Sequence, residues 1–224
     1  LYQAVQACAD FAIELCINIP TGKDSLSMKQ KYPDQEVIAP GTVIISAAGH
    51  CTDIRKVIEP TLIADGGDIF YINMSFSDYQ LGGSSFAQVI SKIGQNAPDV
   101  SDANKFKAAF NVLQSLIQDN QIVAGHDVGS GGLITTLLEM TFAGINSGAE
   151  FRLDHLTETD SIKLLFAENV GIVFQAKFGQ EESIISAFND ISVPCVQIGK
   201  FKSGGTVSIV NGKDVLGVTD YIQI

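Results

Sequence analysis

Apolar residues recur at helical spacing from the start of the chain, at Val5, Cys8, Ala12, Leu15 and Cys16, and predict an opening amphipathic helix. A short strand is expected over residues 16–19, then a polar loop over 20–31 and a second strand over 43–48. Asp53 is placed to cap a short helix through Val57, which Glu59-Pro60 ends before the turn cluster Ala64-Asp65-Gly66-Gly67. A boundary near residue 62 divides the chain into residues 1–61 and 62–224.

Beyond that boundary the period alternates between two and 3.6. Strands are expected at 69–74, 121–125, 149–153, 171–176 and 196–201, and helices at 84–93, 102–118, 133–142, 159–166 and 180–188. Residues 204–210 followed by Asn211-Gly212 predict a closing hairpin. The fold class is therefore α/β (α+β), a mixed sheet with flanking helices. One short duplication runs through it: Leu81-Gly82-Gly83-Ser84 and Ser130-Gly131-Gly132-Leu133 both set paired glycines at a helix start.

Composition narrows the function classes. A chain of 224 residues with 46% hydrophobic content buries a substantial core. Its net charge of -11, from 14 Lys and Arg against 25 Asp and Glu, repels a phosphate backbone, so nucleic acid is excluded as a partner. Phosphorylated small molecules stay within reach, because helix-start amides and a bound Mg2+ offset acidity locally. The sequence contains neither a membrane-length apolar run nor a secretory leader pattern, so a cytoplasmic location is expected. The four cysteines form no C-x-x-C pair and are expected to be reduced core residues. Leu1 stands in place of an initiator Met and the helical pattern begins at once, so the chain is expected to be a piece of a longer one.

The candidate chemistry centres on Val123-Ala124-Gly125-His126-Asp127-Val128-Gly129-Ser130-Gly131-Gly132-Leu133, which passes from a strand through four glycines into a helix. Glycine permits positive φ and close ligand approach, and free amides at a helix start attract phosphate. Asp127 beside a phosphate would be repulsive unless a Mg2+ lay between them. The competing reading, of equal weight on the residues alone, is a tight turn with Asp127 capping amides and His126 as a structural residue. His126 as a general base lacks a carboxylate neighbour in sequence. Thr21-Gly22-Lys23-Asp24-Ser25 fails the P-loop pattern, since Ile17 stands where a glycine belongs and Asp24 follows the lysine. Lys23, Asp24, Ser25 and His126 remain candidates for lining a cleft. Glu139 and Glu168 read as isolated acids, and Ser84 or Ser85 as an N-cap.

Two segments carry a resemblance: Ile19-Pro20-Thr21-Gly22-Lys23-Asp24-Ser25-Leu26-Ser27-Met28-Lys29, and His126-Asp127 through Gly131-Gly132-Leu133 with Leu138-Glu139-Met140-Thr141-Phe142-Ala143-Gly144. With Leu81-Gly82-Gly83-Ser84 and Phe166-Ala167-Glu168 in the same order, the chain resembles the phosphoribosylformylglycinamidine synthase family of the large, single-chain type, over nearly its whole length. The resemblance implies a C-terminal-like domain of the aminoimidazole ribonucleotide synthetase superfamily, preceded by the end of an N-terminal-like domain. It implies an ATP-dependent carbon-nitrogen ligase of purine biosynthesis that takes ammonia from a glutaminase domain absent from this chain.

The half resembled here holds an auxiliary nucleotide, ATP or ADP with Mg2+, considered structural, so no catalytic residue is expected. Asp127 corresponds to a metal ligand, with Gly129, Ser130, Gly131 and Gly132 at the nucleotide. Gly129 stands where the family commonly has Ser, which removes a hydroxyl from that position. The isolated piece is expected to be inactive, to bind nucleotide weakly or not at all, and to self-associate through surfaces its missing domains would cover. The alternative is a stand-alone nucleotide-binding regulatory module of the same superfamily without turnover.

Overall fold

The computed structural model describes residues 1–23, 27–144 and 146–220, and separates into two compact units, Leu1–Thr52 and Asp53–Ile224. In the first unit, helix α1 spans Tyr2–Leu15, as its apolar spacing predicts, yet none of its residues is buried. The strand expected at 16–19 does not form. Cys16 adopts a left-handed φ of 61° and Ile17 N–H donates back to Ala12 O at 2.8 Å, so these residues serve as the helix cap. No strand forms at 43–48 either, where Ile44 is 83% exposed: an extended segment needs a paired neighbour, and none is present among the described residues. At the end of the expected loop and beyond it, β1 (Lys29–Lys31) and β2 (Glu36–Ile38) pair instead as an antiparallel hairpin.

The second unit opens with a single 3-10 turn, Ile54–Lys56, whose first amides Asp53 caps as predicted. Three strands follow in the order of their pairing logic: β3 (Gly66–Asn73), β4 (Ile122–Asp127) and β6 (Gly171–Lys177), with β6 antiparallel to both others. Alternate residues of β3 point to opposite faces, and both faces are buried. Ile69 and Tyr71 join Ala124 and Val173 beneath α4 (Gly132–Phe142) and α5 (Ser161–Phe166), which contribute Leu133, Leu137, Met140 and Leu164. Phe70 and Ile72 join Phe174 beneath α3 (Ala103–Gln118) and α6 (Glu181–Asn189), which contribute Leu113, Leu116, Ile184 and Phe188.

The remaining strands, β5 (Ser147–Arg152), β7 (Val196–Ser203), β8 (Thr206–Asn211) and β9 (Asp214–Asp220), complete a seven-stranded sheet ordered β4-β6-β3-β7-β5-β8-β9. Only the β5–β8 pair among them is parallel, so the sheet is mixed and flanked by helices, as expected, and β8–β9 is the closing hairpin. Helix α2 (Ser85–Val89) is shorter than predicted because Ser91 turns left-handed at φ 57°. The cysteines correct another expectation. All four are free, but Cys16 and Cys51 are exposed; burial pushes the Cys195 thiol up, to about 12.

Because β3 and β4 are both antiparallel to β6, their C-terminal ends and the N-terminal end of β6 meet at one edge of the sheet. There Asn73 pairs with Gly171 and Asp127 with Ile172. Core packing holds that edge in place. Phe174 is fully buried, with ring centroids 5.7 Å from Phe70 and 6.2 Å from Phe188. Phe174→Ala is expected to cost about 3–5 kcal/mol of stability in urea unfolding, whereas the same change at exposed Phe178 should cost under about 0.5 kcal/mol.

Candidate functional site

At the end of β4 the chain must cross from strand to helix in four residues, 128–131, and hydrogen bonds account for most of the crossing. Val128 N–H donates to Gly171 O at 2.9 Å and Gly132 N–H to Gly129 O at 3.1 Å. Thr136 Oγ1 donates to Asp127 O at 3.0 Å, tying the first turns of α4 to the strand end. Gly131 and Gly132 take φ of 91° and 77°, the left-handed region that side chains rarely adopt. At Gly132 a Cβ would also lie 2.7 Å from Leu165 O, so α4 begins in direct backbone contact with the end of α5.

The acids read as isolated in sequence both find partners here. Glu168 Oε1 accepts from Gly131 N–H and from Ser85 N–H, each at 2.8 Å, so one carboxylate oxygen joins the two duplicated glycine turns. Glu139, three residues after Thr136 on the same helix face, places Oε2 3.1 Å from His126 Nε2. His126 Nδ1 lies 2.7 Å from Asp127 O, so both ring nitrogens have an oxygen within hydrogen-bond distance. The expectation that His126 lacks a neighbouring carboxylate is thereby corrected: the helix register supplies one.

Asp127 is different. Its side chain is 77% exposed, and His126 Nδ1 lies 3.5 Å from Oδ1. Gly129 and Ser130 are exposed as well, and their amides donate to no protein group among the described residues. A Cβ on Gly129 would meet nothing within 4 Å. The structure thus sorts the predicted phosphate cradle. The amides of Gly131 and Gly132 are already used internally, and Asp127, Gly129 and Ser130 face solvent. Among the described residues no group of three or more His, Cys, Asp or Glu is placed to hold a metal ion by itself. One exposed carboxylate next to free amides does suit Mg2+, which takes one or two protein carboxylates and fills its octahedron with phosphate oxygens and water.

Of the other candidates, Lys23 is exposed in the first unit, and Asp24 and Ser25 lie outside the described residues. Sequence reasoning missed the surroundings of Glu168. Asn169 is buried, accepting from Gln80 N–H at 3.2 Å and donating to Ser75 Oγ at 2.9 Å and Asp78 O at 3.1 Å, while Phe166 stacks on Phe86 at 4.9 Å. The repeated glycine pairs were the one available signal. A cleft of about 430 Å³ beside the end of β3 was also missed; Tyr71, Asn73, Tyr79 and Lys105 line part of it, and burial holds the Tyr71 phenol well above its ordinary range.

Comparison with known proteins bears on this geometry. The family described as AIR synthase related protein, C-terminal domain, matches residues 67–211, and the FGAR-AT PurM_N-like domain matches residues 1–50. Phosphoribosylformylglycinamidine synthase of Homo sapiens is 33% identical over 96% of this chain. The probable phosphoribosylformylglycinamidine synthase, chloroplastic/mitochondrial, of Arabidopsis thaliana is 35% identical over 93%. The chain spans only 16% and 15% of the lengths of these relatives. Among solved structures, T. maritima PurL complexed with FGAR matches with a TM-score of 0.60 and 16% identity, over 75% of this chain and 29% of that one. T. maritima PurL complexed with ATP gives 0.58 and 14%, over 75% and 27%. At that identity the likeness establishes the fold.

The turn's own geometry yields a contrast between two of its glycines. Gly132→Ala is expected to cost about 2–4 kcal/mol, from positive φ and the α5 backbone contact. Gly129→Ala should stay within about 0.5 kcal/mol, because its space is open. Urea unfolding of both variants measures the difference.

Proposed function

The chain belongs to the family of AIR synthase related proteins, whose C-terminal domain it carries, and on that premise we propose that it works as part of an ATP-dependent carbon-nitrogen ligase. The reaction proposed is conversion of formylglycinamide ribonucleotide and glutamine to formylglycinamidine ribonucleotide in purine biosynthesis, in the cytoplasm. The observation that carries this reading is the match to two phosphoribosylformylglycinamidine synthases over 93–96% of the chain. The PurL structures of the same fold, complexed with ATP and with FGAR, support it.

Within that ligase we assign this chain a nucleotide-holding role without turnover. Asp127 would contribute one oxygen to Mg2+, and the exposed amides of Gly129 and Ser130 would donate to phosphate oxygens. The metal, when bound, neutralises phosphate charge beside the Asp127 carboxylate. His126 is held by Glu139, so it positions the strand end and is not assigned proton transfer. The partners proposed are the remaining domains of the longer protein, including a glutaminase. The exposed Tyr2, Val5 and Ile13 of α1, with no buried residue on that helix, support such a covering partner, and in its absence self-association.

Calorimetry of the chain with ATP, with and without Mg2+, tests the assignment. Weak binding, in the high micromolar range, that depends on Mg2+ is expected. Asp127→Asn should remove the Mg2+ dependence, and unchanged binding in that variant would overturn the metal role. Gly129→Ser, which restores a hydroxyl where space is open, should tighten ATP binding by about threefold to tenfold, the worth of one added hydrogen bond.

A further inference from the structure

A helix start leaves amide donors without partners, and a nearby anion is the usual way to satisfy them. In this fold the anion is supplied by the protein. Glu168 Oε1 sits 2.8 Å from Gly131 N, at the N-cap of the eleven-residue α4, and 2.8 Å from Ser85 N, at the start of α2. Three further contacts fix the segment that carries it. Phe166 stacks on Phe86 of α2 at 4.9 Å, the Leu165–Phe166 backbone abuts Gly132, and buried Asn169 holds the 75–80 loop through Ser75 and Asp78. The carboxylate is therefore presented from a rigid base to two turns that both end in paired glycines.

We propose that Glu168 is the positioning residue of the Asp127 site. Its carboxylate takes the anion position at the start of α4, locks the duplicated glycine turns to each other, and leaves phosphate only the amides of Gly129 and Ser130. The phosphate half of this statement rests on the nucleotide reading above; the clamp itself does not. Glu168 touches no ligand in this role. It acts through the backbone of Gly131, and the same oxygen couples the site to α2, so a disturbance at one turn is transmitted to the other.

Hydrogen exchange on the 224-residue chain, read residue by residue, tests the clamp. In Glu168→Ala, exchange at Gly131 and Ser85 should accelerate together by at least about tenfold, the loss of one charge-assisted bond at each amide. Sodium formate should slow both again, while sodium chloride at equal ionic strength should not, and formate should leave the wild type unchanged. Inorganic phosphate should shift the Gly131 amide resonance in Glu168→Ala but not in the wild type. Glu168→Gln, which keeps an acceptor and removes the charge, should show the same paired acceleration at smaller size, and it serves if the alanine variant does not fold. Exchange that is unchanged, or that changes at one amide alone, sinks the proposal, as does formate acting no better than chloride. If ATP binds neither wild type nor variants, the nucleotide reading falls while the exchange results still decide the clamp.

Discussion

The constraint on which the rest depends is that β3 and β6 lie inside the sheet with both faces in apolar contact. Ile69 and Tyr71 of β3 project into one cluster and Phe70 and Ile72 into the other, and Phe174 and Ala176 of β6 share the second. Strands buried on both sides leave little open surface on the sheet faces they occupy, the cleft beside the end of β3 excepted. Polar chemistry is displaced to the strand ends, where antiparallel pairing brings the ends of β3 and β4 and the start of β6 to one edge. Asp127, Asn73 and Glu168 stand near that edge for this reason.

At the edge, hydrogen-bond satisfaction decides what remains available for a ligand. A Gly-rich strand-to-helix turn looks like an open cradle of amides, but a buried or half-buried amide without a partner is costly, and this turn resolves most of them internally. Val128 donates to Gly171, Gly132 to Gly129 and Gly131 to Glu168. What escapes is the stretch least covered by neighbouring elements: the Asp127 carboxylate and the amides of Gly129 and Ser130. Of the two readings that the residues alone left equal, the turn holds for the second half of the segment, and the ligand site is a proposal for the first half alone.

The segment from Phe166 to Asn169 is the joint between the local and the long-range parts of this arrangement. Its side chains reach α2, the start of α4 and the loop after β3, all distant in sequence. Small motions of α5 would for that reason be felt at the glycine turns, since Gly132 has backbone against backbone there and no flexible side chain to absorb displacement. The apolar residues that α1 leaves exposed are a separate matter.

By itself the sequence determined the elements of the second unit, because periodicity and caps are local. Asp53 caps its turn where its spacing put it, the helices expected at 102–118 and 159–166 form with Asp102 and Asp160 as their caps, and the strand of alternating apolar residues after Gly66-Gly67 forms. It also carried the family, through the His126-Asp127 and Gly131-Gly132-Leu133 motif. It misjudged residues 16–19 and 43–48, where apolar content was present but the helix cap in one case and a missing strand partner in the other decided the outcome. Only the tertiary structure could pair Glu139 with His126, or seat Glu168 between Ser85 and Gly131 across separations of 83 and 37 residues. Such contacts depend on which strand ends share an edge and which helix faces meet, and no local pattern encodes that.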